Sequence, residues 1–478
     1  MQRRTFLKLT GAASASLALA PSLFANTGPA GEPFKISLAE WSINRHLKHG
    51  KLKHLDFPKL ARREFKLDAV ELVDQFFSDK YKDNVYLRDL RRRADGEGVK
   101  IWLIMLDTNG PLGAADETAR SKAVTRTIEW MDAAALLGCQ VVRVNAYGDG
   151  TPDQLKARIV ESCSKLADAA RERNLQLTIE NHGGPSSDAA WLTSVMREVN
   201  KPNFGTLPDF GNFPPEANRY EAVEKMLPYA RAVSAKAMKF NESGMVEETD
   251  FFRMMRLVRD GGYFGYVGIE SAPDTEADEL NAIRLTRDLL RWIQDEEARC
   301  LPIFNGKDLT GWKKIEGGDW TVENGVLIGR NGINWTTNPE KTGSWLSTEK
   351  PYKDFRLELQ YTVNQNGNSG IFFRSAHEKN PAFTGYEVQI YDAPGRPPSK
   401  TGPGSIYDTV APTKNLVRPA GEWNTVTITA QEELIRVEMN GETILQTSLK
   451  RSMEGYIGLQ NHDDKSEVRF RNIRLEVL

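Results

Sequence analysis

The sequence predicts a (β/α)8 TIM barrel followed by a concanavalin-like antiparallel β-sandwich, and three observations support this fold class. The chain has 478 residues, which is too long for one ordinary hydrophobic core. From Phe34 to Arg299, eight short apolar runs alternate with longer amphipathic stretches, over a length close to the roughly 250 residues of such barrels. After Cys300 the helical stretches stop, and short runs with a period of two residues replace them.

The predicted boundaries divide the chain into three parts: a signal and linker over 1–33, a barrel over 34–299 and a sandwich over 300–478. The eight predicted barrel strands begin near Lys35, Leu67, Val99, Cys139, Leu175, Phe204, Ala232 and Tyr266. A doubly wound open sheet is the alternative arrangement. No glycine-rich dinucleotide loop follows the first strand, so we expect no nucleotide cofactor.

In the second part of the chain, over 300–478, apolar and polar residues alternate as they do in half-buried strands. The stretch "FRLELQYTV" over 355–363 places five apolar side chains on one face. The stretch "LIRVEMNGETIL" is a hairpin pattern with its turn at Asn440 and Gly441. Because the join near Cys300 is short, we expect the two domains to touch.

Composition excludes some classes of partner. The formal net charge is -2 and the pI is near 6.4, so the chain lacks the cationic field that nucleic-acid binding requires. Three widely spaced cysteines predict neither a disulfide framework nor a thiolate metal cluster.

The N-terminus resembles a twin-arginine export signal. Arg3 and Arg4 precede "TFLK", and a weakly apolar, alanine-rich stretch follows. That stretch is too short and too polar to cross a hydrocarbon layer of ~30 Å comfortably. We therefore expect a periplasmic or otherwise exported protein without a stable membrane anchor.

Polar side chains stand at the carboxyl ends of most predicted barrel strands, where such barrels carry their chemistry. They are Glu40, Glu71, Asn145, Glu180, His182, Asp209, Lys236 and Glu270. Each acid taken alone is more simply a structural ion pair. Several carboxylates at one mouth, however, repel one another unless a cation lies between them. Oxygen ligands with one imidazole suit Mn, Mg, Co or Zn.

The motifs "LTIENHGG", "LPDFGN" and "VGIE" resemble the xylose-isomerase-like sugar isomerase and epimerase family, across 34–299. The resemblance implies that Glu180, Asp209 and Glu270 bind a divalent ion that holds a sugar's adjacent oxygens. Ser234 stands where many relatives have histidine, while Lys236 is kept. Either the ion's coordination is weaker or completed by water, or His182 supplies the nitrogen; metal-free relatives are a third alternative.

The resemblance makes Glu180, His182, Lys236 and Glu270 candidate catalytic residues, with Asn145 a candidate for substrate binding. The endonuclease branch of this superfamily is disfavoured. It needs a histidine-rich multi-zinc site, and the predicted barrel contains four histidines.

The motifs "FNGKDLTGW", "NSGIFFR", "GYEVQIYD" and "GYIGLQNH" resemble the 3-keto-disaccharide hydrolase domain, over 301–478. Some members of that family cleave glycosides oxidised at carbon 3. Arg374 and Glu387 are candidate catalytic residues, and a buried Arg374–Glu387 ion pair is the structural alternative. Candidate substrate contacts are Gln389, Asp392, Tyr407 and His462.

Together the resemblances imply an exported enzyme that takes a small carbohydrate or glycoside. It would act on 3-keto sugars by metal-assisted proton abstraction beside the carbonyl and by glycoside cleavage. A sugar isomerase or epimerase barrel with a non-catalytic carbohydrate-binding sandwich is one alternative, and a non-catalytic periplasmic protein is another. The particular sugar, the ion and the oligomeric state are left open.

Overall fold

The computed structural model describes residues 34–333, 340 and 343–478, so the predicted export signal lies outside the described residues. An eight-stranded parallel barrel is followed by two antiparallel sheets, which confirms the predicted fold class. None of the helices in the described ranges is long and apolar enough to span a membrane. Cys139, Cys163 and Cys300 are free and buried.

All eight predicted barrel strands form. They are β1 (Lys35–Ala39), β2 (Ala69–Val73), β3 (Lys100–Leu106), β4 (Val141–Val144), β5 (Gln176–Glu180), β6 (Phe204–Leu207), β7 (Val233–Ala237) and β8 (Tyr266–Ser271). Seven neighbouring pairs form parallel ladders in the order β6-β5-β4-β3-β2-β1-β8-β7. Backbone hydrogen bonds close the barrel between β6 and β7, from Arg231 N to Thr206 O at 2.9 Å and from Ser234 N to Pro208 O at 2.9 Å.

Helices surround the barrel and bury its apolar outer surface. They are α1 (Asn44–Lys48), α2 (Phe57–Phe65), α3 (Asn84–Gly96), α4 (Glu117–Leu137), α5 (Pro152–Glu172), α6 (Ala189–Val199), α7 (Arg219–Met226), α8 (Phe251–Asp260) and α9 (Glu276–Arg299). Their starts follow local chemistry: Thr151 and Gln154 form a capping box on α5, and Asn218 and Asp250 cap α7 and α8.

The second domain is a sandwich of two antiparallel sheets, and one short helix, α10 (Pro381–Thr384), packs on the outward face of the first sheet. The first sheet, in the order β10-β13-β20-β15-β16, contains β10 (Trp312–Ile315), β13 (Trp345–Thr348), β15 (Asn368–Ser375), β16 (Tyr386–Tyr391) and β20 (Tyr456–Gln460). The second sheet contains β9 (Leu301–Pro302), β11 (Asp319–Glu323), β12 (Val326–Arg330), β14 (Phe355–Val363), β17 (Asn424–Gln431), β18 (Leu434–Met439), β19 (Glu442–Ser448) and β21 (Val468–Val477).

The period-two prediction for 355–363 is confirmed. Phe355, Leu357 and Tyr361 are buried in the core between the sheets, where the Phe355 ring lies 6.2 Å from that of Phe373. The predicted hairpin is also confirmed: Asn440 (φ 51°) and Gly441 (φ 84°) both have the positive φ of a two-residue turn.

The domains touch, as the short join predicted. The outward face of β14 would be solvated in an isolated sandwich, but here it packs on α8 and α9 of the barrel. Glu358 pairs with Arg259, Gln360 Nε2 donates to Asp260 Oδ2 at 3.0 Å, and Arg356 pairs with Glu296. Strand β14 of the second sheet is therefore buried by the core on one side and by the barrel on the other.

We predict that Glu358→Ala lowers the free energy of unfolding by about 3 kcal/mol, because Arg259 keeps a buried charge after losing a carboxylate partner. Urea unfolding measures the change. Glu438→Ala is the matched control, since Glu438 pairs with Arg436 on the exposed side of the same sheet and removing it should cost no more than about 1 kcal/mol. Equal losses in the two variants would contradict the role of the buried pair.

Candidate metal centre and candidate sugar site

Three buried carboxylates meet at the mouth of the barrel. Glu180 ends β5, Asp209 follows β6 and Glu270 lies on β8. One oxygen from each lies within 4.8 Å of the other two, which is close enough for one ion to contact all three. We call this group the acid trio.

Two cations and an amide hold the trio in place. Arg143 on β4 lies with its Nε 2.8 Å from Glu180 Oε2, as a charge contact without hydrogen-bond alignment. Lys236 Nζ donates to Glu270 Oε1 at 2.7 Å, and Asn212 Nδ2 donates to Glu180 Oε1 at 3.0 Å. Each acid therefore has a fixed direction before any ligand arrives.

Asp209 supplies the observation that best fits a cation. Its Oδ1 accepts hydrogen bonds from the backbone nitrogens of Gly211 at 2.7 Å and Asn212 at 2.8 Å. Its Oδ2 is buried and has no hydrogen-bond partner among the described residues. Since a buried acceptor without a partner is costly, and the trio surrounds this oxygen, the residues suit a divalent ion.

The charges at the mouth do not balance. Asp107, on the same wall, accepts from Arg143 Nη1 at 2.6 Å, so four carboxylates face the two cations Arg143 and Lys236. Burial would raise the pKa of Asp107, but the charge of Arg143 and hydrogen bonds hold it at about 2. When all four acids are ionised, two negative charges remain, which a divalent ion would neutralise.

Burial is the largest single influence on the pKa values of the three acids. It raises the pKa of Glu180 to about 7 against the attraction of Arg143, and that of Asp209 to about 7 against the attraction of Lys236. Burial also acts on Glu270, but the charge and hydrogen bond of Lys236 keep its pKa below the usual range. Protons therefore compete with a cation at two of the three acids near neutral pH.

His182 is not one of the three side chains whose ligand atoms meet, and its role as a nitrogen ligand stays a prediction. Its Nδ1 shares a 2.5 Å hydrogen bond with the Tyr147 hydroxyl. The reason is that β5 ends at Glu180, so residues i and i+2 no longer share a face beyond it. The Asn181 side chain instead pairs with the backbone of Asp209.

The other strand-end residues have separate positions. Asn145 Nδ2 donates to Asp107 Oδ1 at 2.9 Å, so Asn145 orients an acid rather than lining the cavity. Glu71 accepts from Ser37 and Trp102 deeper in the barrel, and Glu40 accepts from Val73 N, so neither acid joins the trio.

The mouth encloses a cavity of 370 Å³, within the usual range for small-molecule sites. Its lining includes Trp41, Asp107, Arg143, His182, Lys236 and Glu270. Sequence reasoning missed Arg143 and Asp107. An arginine within the apolar run "VVRVNA" was the available signal, because a buried charge requires a partner.

A second group of polar residues lies on the outward face of the first sandwich sheet. Glu387 and Gln389 lie on β16, and Tyr407 and His462 approach from loops; the cavity that they line with Asn368 and Gln460 measures 40 Å³. Phe383 of α10 also lines it. The structure thus brings together four of the six sandwich residues that the sequence predicted.

Glu387 and His462 have complementary environments. Burial raises the pKa of Glu387 to about 8. A Cβ at Gly370 would lie 2.0 Å from Glu387 Oε1, so only glycine leaves room for this carboxyl. His462 Nδ1 lies 2.6 Å from Asp463 Oδ2, which leaves Nε2 for a ligand. Sequence reasoning missed Asp463.

Arg374 does not lie beside Glu387, so the alternative of a buried Arg374–Glu387 ion pair is wrong. Its guanidinium donates to Lys353 O at 2.8 Å and to Asp354 Oδ1 at 3.0 Å. A bulge explains the change: Arg374 has φ 51°, and the register against β20 shifts between Phe372 and Ser375.

Asp392 is also separate from this group. Its Oδ2 accepts from the backbone nitrogen of Asn366 at 2.8 Å, and it is not among the lining residues of the sandwich cavity. It therefore orders a loop.

The two groups lie on opposite sides of the sandwich. Glu387 faces outward from the first sheet, whereas Glu358, which contacts the barrel, faces outward from the second. Two sheets packed about 10 Å apart separate these faces. One sugar molecule therefore cannot contact both sites at once.

Comparisons with known proteins agree with this two-domain organisation. Residues 60–296 match the family model described as a xylose isomerase-like TIM barrel, and residues 301–476 match the model described as a 3-keto-alpha-glucoside-1,2-lyase-like domain. The chain therefore carries a xylose isomerase-like TIM barrel followed by a 3-keto-disaccharide hydrolase domain.

Individual relatives cover parts of the chain. A 3-keto-disaccharide hydrolase from Bacteroides thetaiotaomicron is 26% identical over 264 residues, covering 44% of this chain and 87% of that protein. A provisionally assigned glycosyl hydrolase from Parabacteroides distasonis is 26% identical and covers 38% of this chain and 96% of its own, with a TM-score of 0.33. The 3-keto-D-glucoside 4-epimerase of E. coli is 16% identical and covers 54% and 99%, with a TM-score of 0.42.

We predict that Asp209→Asn weakens Mn²⁺ binding at least tenfold, because it removes the carboxylate whose Oδ2 lacks a partner. Isothermal titration calorimetry of metal-stripped protein measures the affinity. Glu71→Gln is the matched control, as it neutralises another buried barrel acid outside the trio. Equal Mn²⁺ affinity of Asp209→Asn and the unaltered protein would argue against the centre.

Glu387 predicts a pH dependence of stability. Because its folded-state pKa is about 8, above the ordinary value of 4.5, the folded state keeps a proton that the unfolded chain releases. Stability should therefore fall between pH 5 and pH 8, by on the order of 4 kcal/mol.

In Glu387→Gln this fall should be absent, which chemical unfolding at several pH values would measure. Glu454→Gln, at an exposed position in the same domain, should behave like the unaltered protein. A parallel pH profile for Glu387→Gln and Glu454→Gln would contradict the assignment.

Proposed function

We propose that the chain is a carbohydrate-active enzyme that acts on 3-keto sugars or 3-keto-glycosides through two separate sites. The uncompensated negative charge of the acid trio at the wall of a sugar-sized cavity is the observation that carries the proposal. The 3-keto-disaccharide hydrolase relative and the matching domain support the choice of substrate class.

In the barrel, the proposed chemistry is proton transfer beside the sugar's carbonyl. A divalent ion bound by Glu180, Asp209 and Glu270 would supply positive charge against adjacent sugar oxygens. The chain's own residues do the rest. Lys236 and Arg143 keep Glu270 and Glu180 oriented.

His182 and Tyr147 are the proposed proton carriers of this site. Burial and the charge of Arg143 lower the pKa of His182, so the imidazole is neutral at neutral pH and can accept a proton. Its hydrogen bond with the Tyr147 hydroxyl fixes the ring. The same proton transfer serves isomerisation and epimerisation, since both begin at a carbon next to the carbonyl.

In the sandwich, the proposed reaction is elimination of the group at carbon 1. A carbonyl at carbon 3 acidifies the hydrogen on carbon 2, and His462 Nε2, oriented by Asp463, takes that proton. The bond from carbon 1 to the glycosidic oxygen breaks, a double bond forms between carbons 1 and 2, and Glu387 protonates the leaving oxygen. Burial keeps Glu387 protonated for this role, and water adds to the double bond afterwards.

A second candidate function is a sugar isomerase or epimerase barrel with a carbohydrate-binding sandwich. The size of the sandwich cavity favours it. At 40 Å³ the cavity has room for little more than one water molecule, whose share of liquid volume is roughly 30 Å³. Catalysis there requires α10 to move away from Glu387.

Export through the twin-arginine route remains part of the proposal, because that route is understood to carry folded proteins and suits one that acquires its ion before export. Fractionation of cells producing the full chain, and of cells producing Arg3→Lys/Arg4→Lys, tests it. We expect the double variant to accumulate in the cytoplasm. Equal distribution of both forms would count against this route.

Two single-site variants test the assignment of the reactions. In heavy water, we expect the unaltered protein to exchange the hydrogen beside the carbonyl of a 3-keto-glucoside and to release the aglycone. Asp209→Asn should lose the chelator-sensitive exchange by about 100-fold or more and keep aglycone release. Glu387→Gln should lose aglycone release and keep the chelator-sensitive exchange. Each variant is therefore the control for the other.

NMR follows both processes in one sample. Metal-dependent exchange by the unaltered protein without any aglycone release, or release that Glu387→Gln leaves unchanged, would favour the binding-module alternative. Unchanged substrate with the metal-loaded unaltered protein would overturn the proposal for both domains.

A further inference from the structure

A groove of 890 Å³ runs between the domains and belongs to neither site described above. On the barrel side, α7 and α8 form its wall. On the sandwich side, the wall comes from the segment around Trp423, the turn at Gly441 and the side chain of Arg471. Both domains are needed to form it, so the fusion itself creates this space.

Two arginines face the groove without an acidic partner. Arg253 and Arg256 lie three residues apart on α8 and therefore on one side of the helix. Within the described ranges, neither forms an ion pair at 4.0 Å or less, although Glu442 attracts Arg253 and Glu358 attracts Arg256 from farther away. Two other cations of the groove are paired with acids: Arg418 Nη1 lies 3.0 Å from Glu224 Oε1, and Lys225 pairs with Glu221. Arg471 donates to Gln360 Oε1 at 2.7 Å, and the lining acid Asp260 pairs with Arg259.

The acids of the groove do not cancel this charge. Glu221 and Glu224 are engaged by the pairs just named, and Glu442 pairs with Lys414. Glu422 is exposed at the rim. The groove therefore presents two guanidinium groups on one helix, a geometry that suits an oxyanion on a ligand.

Aromatic rings flank the same surface. The Arg253 guanidinium lies 4.1 Å from the centre of the Tyr220 ring, and that of Arg471 lies 4.1 Å from the centre of the Trp423 ring. One ring comes from each domain. Flat apolar surfaces next to hydrogen-bond donors are the ordinary means of holding sugar rings.

The groove lies beside the barrel mouth. Asn218, Glu221 and Lys225 of the α7 region line the groove and also line a cavity of 930 Å³ that reaches His182. His182 in turn lines the mouth cavity with Lys236 and Glu270. The shared wall residues place the groove beside the barrel mouth, so a chain of sugar units that starts at the acid trio would extend toward Arg253 and Arg256.

We propose that the interdomain groove binds an anionic extension of the barrel's substrate, namely further sugar units that carry a carboxylate or sulfate group. Arg253 and Arg256 bind the anion, and Tyr220 and Trp423 contact the rings. That this ligand is a substrate of the barrel rests on the function proposed for the barrel. The binding site itself rests on the groove alone.

Calorimetric titration of the full-length protein at physiological salt tests the site with three tetrasaccharide probes. These are tetragalacturonate, which carries carboxylates, a chondroitin sulfate tetrasaccharide, which also carries sulfates, and neutral cellotetraose. We expect at least one anionic probe to bind tenfold or more tightly than cellotetraose. The anionic probe that binds more tightly shows whether the site prefers a carboxylate or a sulfate group.

Arg253→Gln/Arg256→Gln should weaken the anionic probe at least tenfold, and Arg253→Lys/Arg256→Lys should restore part of the loss. Arg62→Gln/Arg88→Gln is the matched control, because it removes two exposed arginines that form no ion pair within the described ranges. Melting temperatures confirm that the variants are folded. Absence of binding, equal binding of the neutral probe, or equal loss in the control would overturn the proposal.

A small 3-keto-glucoside separates this proposal from the function on which it rests. Such a substrate is too short to reach the groove, so Arg253→Gln/Arg256→Gln should exchange its hydrogen as fast as the unaltered protein. If the anionic probe binds through the two arginines but this substrate does not react, the binding site in the groove is supported and the proposed reaction is contradicted. If the substrate reacts but no probe binds, the binding site in the groove is contradicted and the proposed reaction is not.

Discussion

The excess of negative charge at the barrel mouth is the constraint on which the rest of the site depends. Strands that run in parallel deliver their carboxyl ends to one place, and here they deliver Glu180, Asp209 and Glu270 within 4.8 Å. Arg143 and Lys236 offset part of the repulsion and fix the directions of the acids. The carboxylate oxygens that have no hydrogen-bond partner, above all Asp209 Oδ2, mark the position that a cation would occupy.

The contact between the domains has a second, separate consequence. The outward face of β14 carries Glu358 and Gln360, which are buried only because α8 covers them. This contact turns the sandwich so that its own polar cavity faces away from the barrel. The two sites are thereby isolated from each other, while the groove beside α7 and α8 lies next to the cavities of the barrel mouth and borders the second domain.

Much of this site was open to prediction, for a simple reason. Glu180, Asp209 and Glu270 follow apolar strands, and the barrel fold sends strand ends to one mouth. Glu387 and Gln389 alternate on one strand, so their common face follows from the period of two. Two other candidates lie where the regular geometry ends: His182, which is outside the trio, follows the last residue of β5, and Arg374 lies in a bulge, which explains why it does not pair with Glu387.

The amino-acid sequence by itself determined the two domains, the eight barrel strands, the hairpin at Asn440 and the acids at the strand ends, because these depend on local periodicity and on chain order. Only the tertiary structure decided the partners of those acids, such as Arg143 for Glu180, and the groove between the domains. Such features depend on distances between residues far apart in the chain. Burial then sets the charge of each group, and burial is a property of the assembled fold.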